Sequence, residues 1–169
     1  VNWSRALEAI QEHLKSTDEP SVTQISHRRD PFRVLVSTMI SLRTKDEVTL
    51  QASYRLFAEE DTPEGIARLS QERIAQLIYP AGFYRTKARN IRECARIISE
   101  GYSGRVPDSR EELMDLPGVG AKTANLTLNL AFGIPAICVD THVHRISNRL
   151  GWVQTRDPAA TEQALERVL

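Results

Sequence analysis

Helix-start signals recur along almost the whole chain and constrain the fold more than any other feature of the sequence. An acidic or hydroxyl residue directly precedes a proline at 30–31, 62–63 and 157–158, a pairing typical of an N-cap followed by the first helical residue. Alternation of β-branched and polar residues, which strands need, is nearly absent. The sequence therefore predicts an all-α fold. Further N-cap candidates, each just before a helical pattern, are Ser70, Asp108 and Ser109.

Length and charge place few limits on function. The 169 residues, 41% of them hydrophobic, are enough for one large core or two small lobes without disulfides or structural metals. The 22 basic residues balance the 22 acidic ones, so DNA binding would depend on where the charges lie. The longest apolar run, 128–139, is interrupted and shorter than the roughly 18 residues of a membrane span. We therefore expect no membrane association.

A basic amphipathic helix is predicted over residues 84–100. Apolar residues recur at helical spacing at 88, 91, 95 and 98, and Gly101 is a suitable stop. Two interpretations of the other face are open, a solvated basic surface or a surface that meets DNA. By contrast, residues 16–29 are polar, and we predict a loop or linker there after a first helix at 3–15. The basic positions of the amphipathic helix are Arg85, Lys87, Arg89, Arg92 and Arg96.

The most informative stretch is the hairpin at 116–121, which joins two helical patterns with Pro117 and two glycines. This pattern predicts a helix-hairpin-helix. The N–H groups at the start of the second helix, with the positive end of its dipole, can bind a phosphate without reading sequence. Glycines in such hairpins can also serve only to turn the chain, so both interpretations are open. The predicted contacts to DNA here are Leu116, Gly118, Val119, Gly120, Ala121 and Thr123.

Lys122 follows the hairpin directly, in the first turn of the second helix. The positive end of the helix dipole disfavours a cation at that place. A lysine kept there for structure alone would be mildly unfavourable, whereas an amine that must be neutral to attack a sugar carbon is helped by the same field. Lys122 is therefore the predicted nucleophile.

Asp140 follows the apolar segment 131–139 and precedes Thr141. It can be an N-cap, or a carboxylate that stabilises positive charge developing on a sugar, and one carboxylate could do both. His142 and His144 lie two residues apart and would point to different faces of a helix, which argues against a metal site.

Four separated motifs, 41–46, 78–88, 116–125 and 139–148, occur in the order of the endonuclease III family of helix-hairpin-helix DNA glycosylases, and the chain resembles that family. The resemblance implies a bifunctional DNA glycosylase and AP lyase of base excision repair that acts on oxidised pyrimidines. In that family the lysine matching Lys122 attacks C1′, forms a Schiff base and allows β-elimination, assisted by the aspartate matching Asp140. Relatives that only remove a base lack a lysine at this place.

The resemblance also implies that the target base is extruded and that inserted side chains fill the gap. These come from the loop around Phe83 and from the motif 41–44, where Arg43 stands at a position often occupied by glutamine. Arginine carries charge and a different fork geometry, so the opposite-base preference is left open. For Phe83 the alternative is an ordinary core aromatic. Further contacts to DNA are predicted at Arg43, Thr44, Phe83, Lys87 and His142.

Many members of the family carry a [4Fe-4S] cluster held by four closely spaced cysteines. This chain has only Cys94 and Cys138, which match none of them and lie in apolar stretches, as buried inert thiols do. The expectation is either a cluster built on a continuation of the parent protein past Leu169 or a cluster-free form. We predict no metal ligands in this chain and no catalytic metal.

The fold implied by the resemblance has two helical lobes with a DNA-binding cleft between them. One lobe is predicted at 28–133, ending in the hairpin, and the other at 1–27 plus 134–169, incomplete at its C-terminus. The expected partner is double-stranded DNA with a damaged base or abasic site, bound by a monomer in the cytoplasm or nucleoid of a prokaryote, or in the nucleus or mitochondrion of a eukaryote. Two rival functions are a monofunctional mismatch or damage glycosylase and a non-catalytic helix-hairpin-helix DNA-binding module.

Overall fold

The computed structural model describes residues 3–26 and 30–168, and the regular elements in these ranges are all helical. The predicted all-α fold class is confirmed. The helices are α1 (Trp3–Leu14), α2 (Ser21–Ser26), α3 (Pro31–Ser41), α4 (Asp46–Glu59), α5 (Pro63–Arg68), α6 (Gln71–Ile78), α7 (Tyr84–Gly101), α8 (Arg110–Met114), α9 (Ala121–Thr127), a π-helical turn (Leu128–Phe132), α10 (Thr141–Arg149) and α11 (Pro158–Glu166).

The predicted N-caps start their helices. At α3, Asp30 Oδ1 accepts hydrogen bonds from the N–H groups of Phe32 and Arg33, at 3.0 and 3.2 Å. Of the two candidates before α8, Ser109 is the cap and accepts from Glu112 N–H. Each such bond satisfies a helical N–H group that has no partner within its own helix. The caps of α5, α6 and α11 are Thr62, Ser70 and Asp157.

The chain divides into two compact units. The first unit combines Val1–Glu19 with Ile137–Leu169, and the second is Pro20–Ala136. The first unit therefore holds α1, α10 and α11, and the second holds α2 to α9 with the π-helical turn. The predicted lobes divide the chain at 27/28 and at 133/134, whereas these units divide it between Glu19 and Pro20 and between Ala136 and Ile137. Residues 27–29 lie outside the described residues.

The prediction that residues 16–29 form a loop or linker is wrong for Ser21–Ser26, which form α2. The side chains of Val22 and Ile25 are buried, and α2 packs on α3 and α4. Ser21 donates to the Asp46 carboxylate through both its N–H and its hydroxyl, at 2.7 Å each. A six-residue helix shows too little periodicity to be recognised in a sequence, and tertiary contacts stabilise it. These contacts also explain why α2 belongs to the second unit.

Helix α3 forms the centre of the second unit, where it packs on α2, α4, α7 and α9. Its residues 34–40 are buried. Full burial of one Leu or Ile side chain stabilises a fold by about 1.5 to 3 kcal/mol. Cys94 lies in the same core, and burial raises the pKa of its thiol to about 12. Cys94 is therefore the buried, inert thiol that was predicted, whereas Cys138 in the first unit is only half-buried.

The first unit has a small apolar core of Val139, Val153 and Leu165. Beside this core, a polar network centred on Thr161 joins α10 to α11. Thr161 is fully buried, and its Oγ1 lies 2.6 Å from His144 Nδ1 and 2.5 Å from Thr155 Oγ1. Directional contacts of this kind fix one arrangement of the two helices.

Over residues 3–26 and 30–168, the structure contains no helix that is both long enough and apolar enough to span a membrane.

Candidate active site

A cavity of about 480 Å³ in the second unit brings together residues that the sequence predicted separately. Arg43 enters it from the turn after α3, Phe83 from the turn before α7, and Lys122 from the start of α9. A larger cavity of about 740 Å³ in the same unit is lined by none of the predicted site residues. The 480 Å³ cavity is therefore the candidate active site. Its lining residues are Ser41, Leu42, Arg43, Phe83, Lys87 and Lys122.

The helix-hairpin-helix forms between α8 and α9, and its two glycines have different roles. Gly118 adopts a left-handed backbone with φ 79°, and a Cβ there would lie 2.6 Å from Asn90 Nδ2. Gly120 has an ordinary φ of −103°, and apart from its own two chain neighbours no described residue has an atom within 4 Å of where its Cβ would be. Gly118 is required by the fold. Gly120 leaves the surface before Lys122 open.

Lys122 is exposed at the second residue of α9. Its neighbours Thr123 and Ala124 are buried, at 1% and 0% exposure. Ala124 N–H donates to Gly120 O at 2.9 Å, which begins the helical hydrogen bonds. The buried neighbours hold this first turn on the core while the Lys122 side chain lies at the surface, so the lysine is presented on a rigid element.

The side chains of Leu116 and Val119 are in the core, at 3% and 7% exposure. Val119 N–H donates to Leu116 O at 3.1 Å, which closes the hairpin turn. Any contact that these two residues make at the surface therefore involves their backbone and not their side chains. This is compatible with the sequence-independent contact predicted for the hairpin.

Arg43 and Phe83 both stand in turns with a left-handed backbone, at φ 51° and φ 55°. Such a conformation costs a residue with a Cβ roughly 1 to 2 kcal/mol. Phe83 is 65% exposed, so it is not a core aromatic. The Arg43 guanidinium carbon lies 5.5 Å from the centroid of the Phe83 ring, within range of a cation–π contact. The two predicted gap-filling side chains therefore touch each other.

Gly82 and Thr44 join the two turns, and sequence reasoning missed the role of Gly82. Gly82 N–H donates to Thr44 Oγ1 at 3.0 Å. A Cβ on Gly82 would lie 2.3 Å from the carbonyl oxygen of Arg43, so the turns approach more closely than any side chain at 82 would permit. The glycine directly before Phe83 was the available signal.

Lys87 was predicted to contact DNA, and the structure places it at the wall of the cavity with its ammonium turned to internal acceptors. It is 8% exposed, and its Nζ donates to Ile40 O at 2.6 Å, Leu42 O at 2.5 Å and Thr44 Oγ1 at 2.8 Å. Burial lowers the pKa of its ammonium to about 8. Positions 87, 91, 94 and 98 share the buried face of α7, so helical spacing could have revealed this. We therefore correct the assignment from a DNA contact to an internal one.

Two arginines of α7, Arg92 and Arg96, contact nearby groups of the protein. Arg92 Nε donates to Leu69 O at 2.9 Å, and Arg96 pairs with Glu93 at 2.6 Å. These two side chains are exposed, but their contacts agree with the interpretation as a solvated face better than with a dedicated DNA surface. Solvent screens surface ion pairs of this kind, so they contribute little to stability.

Asp140 lies in the first unit and is the N-cap of α10. Its Oδ1 accepts from His142 N–H at 3.0 Å and from Val143 N–H at 2.9 Å. The predicted N-cap is thus confirmed. These bonds fix the carboxylate at a defined position on a helix end, and the His142 backbone is one of its anchors.

The residues present do not fit an iron–sulfur cluster. The chain has two cysteines, of which Cys94 is in the core of the second unit and Cys138 belongs to the first. In the described ranges no group of three or more His, Cys, Asp and Glu side chains could hold a metal ion. His144 is engaged with Thr161 instead. We derive no chemistry of this chain from a cluster.

The comparisons with known proteins show the family to which the chain belongs. The model of the HhH-GPD superfamily of base excision DNA repair proteins matches residues 36–169. The chain belongs to this superfamily. It is similar to endonuclease III of Thermotoga maritima, with 57% identity over 140 residues that make up 83% of this chain and 66% of that protein. The chain spans between 48% and 66% of the length of the first curated relatives that it matches.

Solved structures of superfamily members resemble the chain as well. A trapped covalent intermediate of endonuclease III with DNA, in an estranged-adenine complex, shares 40% identity and a TM-score of 0.79, covering 83% of this chain and 66% of that one. A non-covalent endonuclease III–DNA complex shares 35% identity and a TM-score of 0.86, covering 98% and 76%. The predicted resemblance to endonuclease III is confirmed.

Proposed function

We propose that this chain carries the catalytic residues of a bifunctional DNA glycosylase and AP lyase that excises oxidised pyrimidines. The observation that carries the proposal is the shared cavity of Lys122, Arg43 and Phe83, which places an exposed lysine beside two exposed side chains suited to fill a gap in a duplex. The solved relative that was trapped as a covalent intermediate with DNA supports the same chemistry.

Lys122 is the proposed nucleophile. Its neutral amine forms a bond to C1′ while the bond from C1′ to the base breaks, and the base leaves with the electron pair and takes up a proton. The nitrogen then loses a proton, the C1′–O4′ bond breaks as the nitrogen lone pair forms an iminium with C1′, and O4′ takes up a proton. Loss of the C2′ proton breaks the C3′–O bond, and the 3′ phosphate leaves with that electron pair. Water finally hydrolyses the iminium and regenerates the amine.

Asp140 is the proposed partner of Lys122, although the two residues belong to different units. A carboxylate lowers the energy of positive charge that develops on the sugar as the base departs, and it can move protons at the same step. The N-cap bonds to His142 and Val143 restrict the rotation of this carboxylate.

DNA would be held by the hairpin through its backbone N–H groups and by the open surface at Gly120. The Arg43 and Phe83 side chains would enter the space left by the extruded base. Because Arg43 carries a charged fork, it can donate hydrogen bonds to the orphaned base. The proposed partner is a double-stranded DNA with a damaged base or an abasic site, bound by one copy of the protein.

Borohydride trapping on abasic-site DNA tests the nucleophile. We expect the intact protein to give a covalent adduct that Lys122→Ala abolishes and that the control Lys15→Ala retains, since Lys15 is an exposed lysine of the first unit. Peptide mapping by mass spectrometry then locates the adduct. A binding-only module would give no adduct while still binding the DNA. A monofunctional glycosylase would also give no adduct here, but it would release the base from a duplex that contains an oxidised pyrimidine.

Asp140→Asn separates the two roles of Asp140. Asparagine caps helices about as well as aspartate, so the melting temperature should stay near that of the parent protein. Removal of the negative charge should slow base release by about 100-fold or more, the scale of a lost acid–base group. Equal excision rates in single-turnover assays would show that Asp140 is only a cap.

A further inference from the structure

We propose that Lys87 is a positioning residue for base extrusion: its buried ammonium fixes the Arg43 turn and, through Thr44, ties it to the Gly82–Phe83 turn. The two gap-filling side chains are then presented as one preformed element. The effect on base extrusion rests on the proposed function. The hydrogen bonds of Lys87 and Thr44 that join the two turns lie within the second unit and do not depend on it.

The three contacts of Lys87 use the whole donor capacity of an ammonium group, which carries three N–H bonds. Two acceptors, Ile40 O and Leu42 O, belong to the last turn and the C-cap of α3. Carbonyl groups at a helix C-terminus lack partners within the helix and carry its negative dipole end. A buried cation here therefore closes the end of α3 and fixes where the Arg43 turn begins.

The Thr44 hydroxyl connects the Arg43 turn to the Gly82–Phe83 turn by hydrogen bonds. Its Oγ1 accepts from Lys87 Nζ at 2.8 Å and from Gly82 N–H at 3.0 Å, and it lies 3.2 Å from Leu42 O. The hydroxyl thus stands at the junction of α3, the Arg43 turn and the Gly82–Phe83 turn. The missing Cβ of Gly82 is what lets the Arg43 carbonyl come this near.

Two left-handed turns need such support. Arg43 and Phe83 adopt φ angles that residues with a Cβ avoid, and a conformation of this kind persists only where the surroundings hold it. Neither side chain is buried, so packing into the core does not hold them. The backbone contacts through Lys87 and Thr44 do, and the cation–π contact then sets the two side chains against each other.

A lysine kept for phosphate binding would point its ammonium toward solvent. Lys87 instead is buried with three internal acceptors, on the face of α7 that also carries Ile91 and Cys94. Its ammonium therefore fixes the backbone of the turns by hydrogen bonds and does not contact DNA. Base extrusion should therefore depend on Lys87 more strongly than chemistry on a site where the base is already missing.

The test compares Thr44→Val and Lys87→Met with Thr44→Ser, which restores the hydroxyl, and with Thr86→Val, an exposed threonine of α7. Excision is measured under single-turnover conditions on a duplex with an oxidised pyrimidine, and strand cleavage on the same duplex with a preformed abasic site. We expect Thr44→Val and Lys87→Met to slow excision by about tenfold or more, the scale of a small misplacement in a site, while abasic cleavage changes much less. Thr44→Ser should recover most of the loss. Equal slowing of both steps would overturn the proposal and indicate a general structural role.

Hydrogen exchange on the protein without DNA provides a readout that does not need activity. Thr44→Val removes the acceptor of Gly82 N–H, so the peptide containing Gly82 should exchange faster, and Thr44→Ser should keep it protected. Unchanged exchange in Thr44→Val would overturn the tie itself. If the parent protein excised no base, the proposed function would fail, whereas the exchange result would still decide whether Lys87 and Thr44 hold the two turns together. Thr44→Val keeps the test valid even if Lys87→Met does not fold.

Discussion

The two units of the chain are both helical, but they are stabilised by different interactions. The second unit, which carries Lys122, Arg43 and Phe83, is built on a large apolar core around α3. The first unit, which carries Asp140, has among its described residues a small apolar core of Val139, Val153 and Leu165 and a network of polar contacts around Thr161. Apolar burial is non-directional and tolerant, whereas a polar network needs each partner in place. The nucleophile and the carboxylate therefore depend on different kinds of residue.

Each unit contains one cysteine, and thiol labelling can follow their opening separately. Cys94 lies in the core of the second unit, and its raised pKa keeps it protonated at neutral pH. Cys138 belongs to the first unit and is half-buried. Because the thiolate is the reactive form, Cys94 should label only when its unit opens.

The largest expected effect comes from matched leucine truncations. Leu35→Ala should destabilise the second unit by about 3 to 5 kcal/mol, because a cavity in a large packed core cannot collapse. Leu165→Ala should destabilise the first unit by about 2 to 3 kcal/mol, since its surroundings can relax. Urea unfolding followed by thiol labelling of Cys94 and Cys138 measures the loss of stability in each unit. Equal effects of the two truncations would contradict the proposed difference between the units.

A smaller loss of stability, in the first unit, is expected from Thr161→Val. The hydroxyl contacts His144, Thr155 and the carbonyl of Asp157, so its loss leaves buried polar groups unpaired and should cost about 1 to 3 kcal/mol. The control Thr127→Val, in the second unit, removes a single bond to Thr123 O at 2.8 Å and should cost less. Cys138 should label faster in Thr161→Val with little change at Cys94. Faster labelling of Cys94 alone would argue against separate stabilisation.

The two hairpin glycines should differ in what they affect. Gly118→Ala forces a Cβ into a left-handed residue and against Asn90, so it should destabilise the second unit by about 1 to 2 kcal/mol. Gly120→Ala meets neither obstacle and should leave stability near that of the parent protein while weakening binding to abasic-site DNA. Melting curves and a binding titration at fixed salt concentration distinguish these. Unchanged binding by Gly120→Ala would remove the hairpin surface from the proposed DNA contact.

Local signals in the sequence predicted most of the helix starts, and the resemblance to the endonuclease III family predicted the residues that the second-unit cavity brings together. N-caps such as Asp30 and Asp140 were predictable because a side chain bonds to backbone only two or three residues away. Arg43, Phe83 and Lys122 were predicted through their motifs, and the structure brings them to one cavity.

What could not be predicted depends on contacts between distant parts of the chain. Helix α2 is stabilised by Asp46, 25 residues away from Ser21. Helical spacing places Lys87 on the buried face of α7, but it gives no sign of the acceptors, which lie 43 to 47 residues away. The close approach of Gly82 to Arg43 is likewise visible only when both turns are in place. The predictions that were wrong are those in which burial or a distant hydrogen-bond acceptor determines the structure, because a local sequence pattern carries no information on contacts between distant parts of the chain.

The smallest expected effect completes the comparison of polar residues in the two units. Ser37 is fully buried in α3, and among the described residues its hydroxyl finds no hydrogen-bond partner. Replacing such a group with an apolar one of similar shape removes a desolvation penalty, so Ser37→Ala should change the free energy of unfolding by about 0.5 kcal/mol or less, or should stabilise the unit slightly. Thermal unfolding with labelling of Cys94 measures this directly. A cost above 1 kcal/mol would mean that the hydroxyl is hydrogen-bonded to an ordered water, and the second unit would then depend on polar contacts as the first does around Thr161.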